Sequence, residues 1–245
     1  MNFPARLTLL LAAAAAILAA ALLKPAPKPS ATAPPEAETD IIQTLLDHHV
    51  TERSFYFGQI VEATSGKKVL ALEPTNTVHK RVIAAIDAAL AATITDLNQP
   101  SSPIRKLRRI NEGSRFFEDG LHLRLSATPG LNCEIPPNRA GEHQRSGYPD
   151  LRITDQASGD VFYLDPKLVE SGSETSTLRS FYFEPKTQTL KITDDAVHLV
   201  ISVLHDGKDG EWTFRKGQLV DLSTLVVHLK AEFQASNADL YKTEN

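Results

Sequence analysis

The sequence predicts an α/β domain, a central mixed β-sheet flanked by helices, behind an N-terminal membrane-directed segment. Three observations lead there. After Thr77, the apolar residues Val82, Ile83, Ile86 and Leu90 recur at helical spacing, which predicts a long helix over 77–97. Two strand-like runs, 151–154 and 161–168, enclose the polar, glycine-containing stretch 155–160, as a hairpin requires. A further apolar run, 196–204, has the composition of a buried strand.

A chain of 245 residues suits one domain with appendages. With 42% hydrophobic and 23% charged residues, it is neither wholly disordered nor wholly membrane-embedded. The formal net charge of -4 excludes the global basic field of a DNA-coating protein. It does not exclude a nuclease, whose acidic metal ligands offset local basic patches. Cys133 is the single cysteine, so intramolecular disulfides and cysteine-based zinc sites are ruled out.

Residues 7–23 carry no charge and are mostly Ala and Leu, a length between a signal-peptide core and a full bilayer span. Residues 1–23 are therefore read as a signal peptide or membrane anchor, which makes the membrane a partner if the segment is uncleaved. The expected location is membrane-anchored or exported, on the periplasmic or extracellular side. Residues 24–38 are a Pro/Ala-rich spacer that cannot pack a core, so the globular domain is expected over 39–245.

Within that domain, apolar spacing predicts a first helix over 41–50. Residues 68–72 read as a short strand, and Thr77 as the cap of the long helix. Residues 104–118 read as a second helix, and 121–125 as a strand because apolar residues alternate with His122 and Arg124. Residues 128–147, rich in Pro, Gly and Asn, are expected as a loop. Residues 212–214 read as an edge strand, and 219–233 mix strand and helix signals.

The stretch that carries chemistry is Tyr148-Pro149-Asp150 followed, across the polar turn, by Asp165-Pro166-Lys167. It resembles the PD-(D/E)xK nuclease superfamily, in which these two elements lie on a bent hairpin. The resemblance implies a restriction-endonuclease-like arrangement and a Mg2+-dependent endonuclease, with Mn2+ as a substitute, hydrolysing phosphodiester bonds in DNA. Asp150 and Asp165 would bind the metal together with the Pro166 carbonyl, and Lys167 would position the nucleophile. Magnesium suits such a site because it takes oxygen ligands and is held by one or two carboxylates plus substrate phosphate. Asp165 and Lys167 are two residues apart, so on a strand both side chains leave the same face. Many members of the superfamily add a helical acid; here the candidate is Glu112, with Glu118 and Asp119 behind it.

A rival second half-motif is Glu184-Pro185-Lys186. Candidate phosphate-binding residues are Arg105, Lys106, Arg108 and Arg109, with Arg145 and Arg179 flanking the hairpin; Arg139 and the Lys67-Lys68 and His79-Lys80-Arg81 clusters are further basic groups. Asp194 and Asp195 read as caps rather than ligands. Two other functional classes fit the same pattern. One is a catalytically inactive nucleic-acid- or partner-binding domain of the same fold. The other is a membrane-tethered structural module in which the motif is fortuitous.

Overall fold

The computed structural model describes residues 36–47, 53–177, 181, 183–207, 210–230, 232 and 234–241. The chain forms two compact units, 1–47 and 48–245. In the first, helix α1 spans Glu36–Leu46. It begins within the expected spacer, and the expected domain start at Thr39 falls inside it. The apolar segment 7–23 lies outside the described residues. Among the described residues, no helix is long and apolar enough to cross a membrane.

The second unit is built on a mixed sheet. Its strands are β2 (Val69–Leu70), β3 (Leu131–Glu134), β4 (Leu151–Asp155), β5 (Val161–Glu170), β6 (Ala196–His205) and β7 (Phe214–Asp221). Their order is β2-β6-β5-β4-β3, and β7 also pairs with β6. The central ladder is parallel, from Phe162 opposite Val197 to Glu170 opposite His205. β4 and β7 add antiparallel neighbours. A separate two-stranded sheet joins β1 (Ser54–Tyr56) to β8 (Val226–His228). This is the mixed α/β architecture expected from sequence.

Helix α3 spans Thr77–Leu97, with the bounds that its periodicity predicts. Its cap, however, is Asn76, whose side chain accepts from the backbone N–H groups of Val78 and His79. An amide oxygen one residue upstream satisfies two donors at the open helix end, and Thr77 then serves as the first helical residue. The buried residues Val82, Ile86, Leu90 and Leu97 of α3 share one core cluster with Phe162, Leu164, Leu199 and Ile201 of the sheet. Helix α2 (Phe57–Ser65) contributes Phe57 and Val61 to a second cluster, with Tyr148, Tyr163, Leu190 and Ile192.

The segment expected as a helix over 104–118 and a strand over 121–125 folds differently. Short 3-10 turns occupy Pro103–Lys106 and Ile110–Gly113, separated by an extended residue at Arg109. Helix α4 then runs Ser114–Ser126. Alternation over five residues satisfies a strand and a helix alike; burial tells them apart. Phe117, Leu121 and Leu125 are fully buried at i, i+4 and i+8, whereas Leu123 is 68% exposed. A strand would bury Leu121, Leu123 and Leu125 together.

The expected loop 128–147 contains β3, which pairs with β4 from Leu131 opposite Asp155 to Glu134 opposite Arg152. The expected edge strand begins at Phe214, after Trp212, which is buried and donates its indole N–H to the Leu107 carbonyl at 3.1 Å. The described residues end with a short helix, α5 (Asn237–Leu240).

Candidate active site

The hairpin that carries the motif is fixed at its turn. Asp155 is fully buried, pairs with Arg81, and accepts from the backbone N–H groups of Ala157 and Ser158 at 3.1 and 3.0 Å. Burial alone would raise its pKa. Arg81 and the turn amides outweigh that and hold the carboxylate below its ordinary value. Arg81 is thus committed to the turn of the hairpin.

At the other end the strands part. Leu151 opposite Leu164 is the last pair of the β4–β5 ladder on this side, and β5 runs on to Glu170. The residues one step beyond that pair are Asp150 and Asp165. Asp165 is 1% exposed, and its Oδ2 lies 2.7 Å from the Lys167 ammonium. The contact is an ion pair without hydrogen-bond alignment, so this buried oxygen keeps an unfilled acceptor site.

Burial first, then the neighbouring Asp165 carboxyl and the Glu118 charge, push Asp150 far above the usual carboxylate range, against the pull of Lys167. Two enclosed carboxyl groups this close hold a proton between them unless a cation takes its place. Lys167 is affected oppositely. Burial lowers its pKa, but Asp165, Asp150 and Glu118 more than restore it, so the amine is held above its ordinary value.

The helical acid beside this pair is Glu118 on α4. Its carboxyl is raised by burial, lowered by Arg145, and raised by Asp165 and Asp119. Glu112 is exposed on the 3-10 turn before α4 and is not brought into the group. The expected helix starts ten residues too early: α4 begins at Ser114, so Glu118 lies on it and Glu112 on the turn ahead of it.

Lys191 also belongs to this site. It has no exposed surface, and its Nζ donates to the Pro149 carbonyl at 2.9 Å. Burial lowers its pKa while Asp150, Glu118 and Asp165 oppose the shift. Nothing in the motif points to it. The available signal is a lysine flanked by Leu190 and Ile192, both buried.

Tyr148 packs beneath the turn against Phe57, Phe181 and Phe183. Its hydroxyl lies 2.8 Å from His198 Nδ1, and the Tyr148–Pro149 peptide is cis. Burial drives His198 down to about 3 against the opposing charge of Asp221, so the imidazole is neutral at physiological pH. Burial likewise pushes the Cys133 thiol up to about 12, which removes it as a nucleophile.

Among the described residues, no group of three or more His, Cys, Asp or Glu side chains is gathered to hold a metal ion. The pair Asp150 and Asp165 still fits a magnesium-type site, which needs only one or two protein carboxylates. The rival Glu184 and Lys186 pair with each other at the surface at 2.8 Å. Pro166 is buried within β5, opposite Ile201.

Of the basic candidates, Arg145 is held by Asp119 at 2.7 Å and Glu118 at 3.9 Å. Lys106, Arg108 and Arg109 are exposed, whereas Arg105 donates to the Asn98 carbonyl. Arg139 is spent on the carbonyls of Thr64 and Ser65 at the end of α2. Asp194 pairs with Arg152, and Asp195 accepts from the Lys68 N–H, as capping and pairing groups do. Arg179 lies outside the described residues.

The model of the type II restriction enzyme MjaV family matches residues 49–244, four-fifths of the chain and the whole of this site. The chain belongs to the type II restriction enzyme MjaV family. It is also similar to the type II restriction enzyme MjaV of Methanocaldococcus jannaschii, with 25% identity over 198 residues that span 77% of this chain and 85% of the relative. No solved structure matches.

Membership of the MjaV family supports the coarser part of the sequence expectation, a restriction endonuclease with DNA as its partner. It also corrects the expectation of a membrane-anchored or exported protein on the periplasmic or extracellular side. A restriction enzyme has to meet DNA, and a domain held beyond a membrane is kept from it. An uncharged Ala/Leu run carries too little information to place a protein against that requirement.

Proposed function

We propose that this restriction enzyme is a Mg2+-dependent endonuclease of the PD-(D/E)xK type, with Mn2+ as a substitute. Asp150 and Asp165 are its metal ligands, joined by the Pro166 carbonyl, and Lys167 positions the attacking water. The observation that carries the reading is the Asp165 carboxylate, 1% exposed, with one oxygen 2.7 Å from Lys167 and lacking an aligned hydrogen-bond donor. Such an oxygen beside a second carboxyl group suits a divalent cation. Bound there, Mg2+ supplies charge stabilisation to the phosphoryl oxygens as negative charge develops on them.

The chain's own residues divide the remaining work. Lys167, 2.7 Å from Asp165, is placed to donate a hydrogen bond to the water and to stabilise developing charge. Water adds to phosphorus as the bond to the leaving oxygen breaks, yielding a phosphomonoester and a hydroxyl end. Glu118, whose charge helps raise Asp150, is the further acid of the site in place of Glu112. Exposed Lys106, Arg108 and Arg109, on the turns before α4, are candidates for phosphate contacts that fix register. Arg145 joins them once it exchanges Asp119 for a phosphate.

The test is plasmid cleavage by the purified full chain in Mg2+ or Mn2+, beside Asp165→Ala and Lys167→Ala. Cleavage by the parent alone is expected. Equal nicking by all three proteins points to a contaminating nuclease and ends the assignment. DNA binding without cleavage by the parent favours an inactive binding domain.

A further inference from the structure

Lys191 is a costly side chain to bury, with no exposed surface. A buried ammonium forfeits its hydration, and a methionine of similar length would fill the same space without that cost. Leu190 and Ile192 on either side are buried, as an apolar segment entering β6 should be. The lysine between them reaches the Pro149 carbonyl at 2.9 Å, one residue before Asp150. The charges that act on it are Asp150, Glu118 and Asp165, the three acids of the site. The charges that oppose its cost all lie within the site, though burial outweighs them, and the Pro149 contact ties the segment before β6 to the turn that presents Asp150.

We propose that Lys191 is a positioning residue of the cleavage site: by holding the Pro149 carbonyl, it sets the placement of the Asp150 carboxylate for divalent-cation binding. The proposal rests on the reading of Asp150 and Asp165 as metal ligands. It differs from the role of Lys167, which faces the reacting water and lies on the strand of the motif itself.

The sign of the effect separates this role from two simpler ones. Removing a positive charge near a cation site, by itself, tightens cation binding. Removing a packing residue leaves the affinity of the folded protein unchanged. Only the loss of positioning weakens it.

The experiment is Mn2+ binding to the full chain without DNA, followed by the free Mn2+ paramagnetic resonance signal, alongside thermal unfolding. Parent, Lys191→Met, Lys191→Gln and Asp165→Ala are compared. Lys191→Met is expected to raise the Mn2+ Kd by about tenfold or more, the usual effect of losing a group that orients a metal ligand. Lys191→Gln keeps a donor without the charge and is expected to fall between parent and Met. An unchanged or tighter Kd in Lys191→Met overturns the proposal, as does a loss in Gln equal to that in Met. If Lys191→Met does not fold, the Gln variant decides: a Kd raised severalfold supports positioning, and an unchanged Kd overturns it. If the parent binds no Mn2+, the metal reading and this inference fall together. If the parent binds and Asp165→Ala does not, while Lys191→Met binds as the parent does, only this inference falls.

Discussion

Asp150 and Asp165 stand one step past the Leu151–Leu164 pair, where β4 begins and β5 runs on, and the Asp165 carboxyl raises the pKa of Asp150. The sheet thus forces two carboxyl groups into one enclosed space. Neither strand alone contains that conflict. It arises because the antiparallel ladder ends at this point and places the next residue of each strand side by side.

The pair gives the metal-free protein a pH-dependent stability. The folded-state pKa of Asp150 is raised above its usual 3.8, and that of Glu118 above 4.5. Folded protein then holds protons that the unfolded chain releases, so this contribution is fully present below those usual values and is lost as pH rises. Buried His198 and His205 give the opposite slope up to their usual 6.5, so the fall in melting temperature without divalent cation is expected between about pH 7 and about pH 8. Asp150→Asn should flatten the slope, and Mg2+ should stabilise the parent more at the upper end. Thermal scans with and without Mg2+ check this; a parent whose melting temperature rises over the same interval contradicts it.

Activity and stability are expected to separate at Asp165. Asp165→Asn should abolish cleavage while leaving the metal-free melting temperature equal or higher, because a buried charge is removed from an acidic cluster. Lys167→Ala should lower the cleavage rate on the order of 10²–10³-fold, the usual loss of a donor aimed at developing charge. Single-turnover cleavage and calorimetry on the same samples read both quantities.

The helical assignment of 114–126 has a sharp consequence at two leucines. Leu121 is fully buried and Leu123 is 68% exposed. Leu121→Ala should cost about 2–5 kcal/mol, and Leu123→Ala should stay within about 0.5 kcal/mol. Urea unfolding distinguishes this from a strand, which would make the two substitutions comparable.

Helices α3 and α4 meet at Gly120. A Cβ there would come within 2.5 Å of Thr93 Cγ2 and 2.9 Å of its Oγ1, the hydroxyl that donates to the Ala89 carbonyl. Gly120→Ala is expected to destabilise by about 1–3 kcal/mol through overpacking. Thr93→Ala should relieve much of that in the double variant, because the clash involves one side chain. Additive losses in a double-mutant cycle would show that the helices do not meet in this way.

The sequence by itself determined the elements whose periodicity is unambiguous. Helix α3 has the predicted bounds because about six turns of apolar spacing leave no other choice, and β4 ends and β5 starts where the polar turn requires. It also determined that Asp165 and Lys167 share a face, since strand side chains repeat every second residue. That shared face brings the two side chains within reach of their 2.7 Å contact.

What tertiary structure decided was everything that depends on which surfaces meet. The pattern LHLRL fits two periodicities, and only packing under the sheet selects the one that leaves Leu123 outside. The start of α4 then makes Glu118, and not Glu112, the acid beside Asp165. Lys191 reaches Pro149 across 42 positions of chain. A local pattern carries the direction of a side chain, because backbone geometry sets it residue by residue. It does not carry the group that side chain will meet, because that depends on how distant segments close against one another.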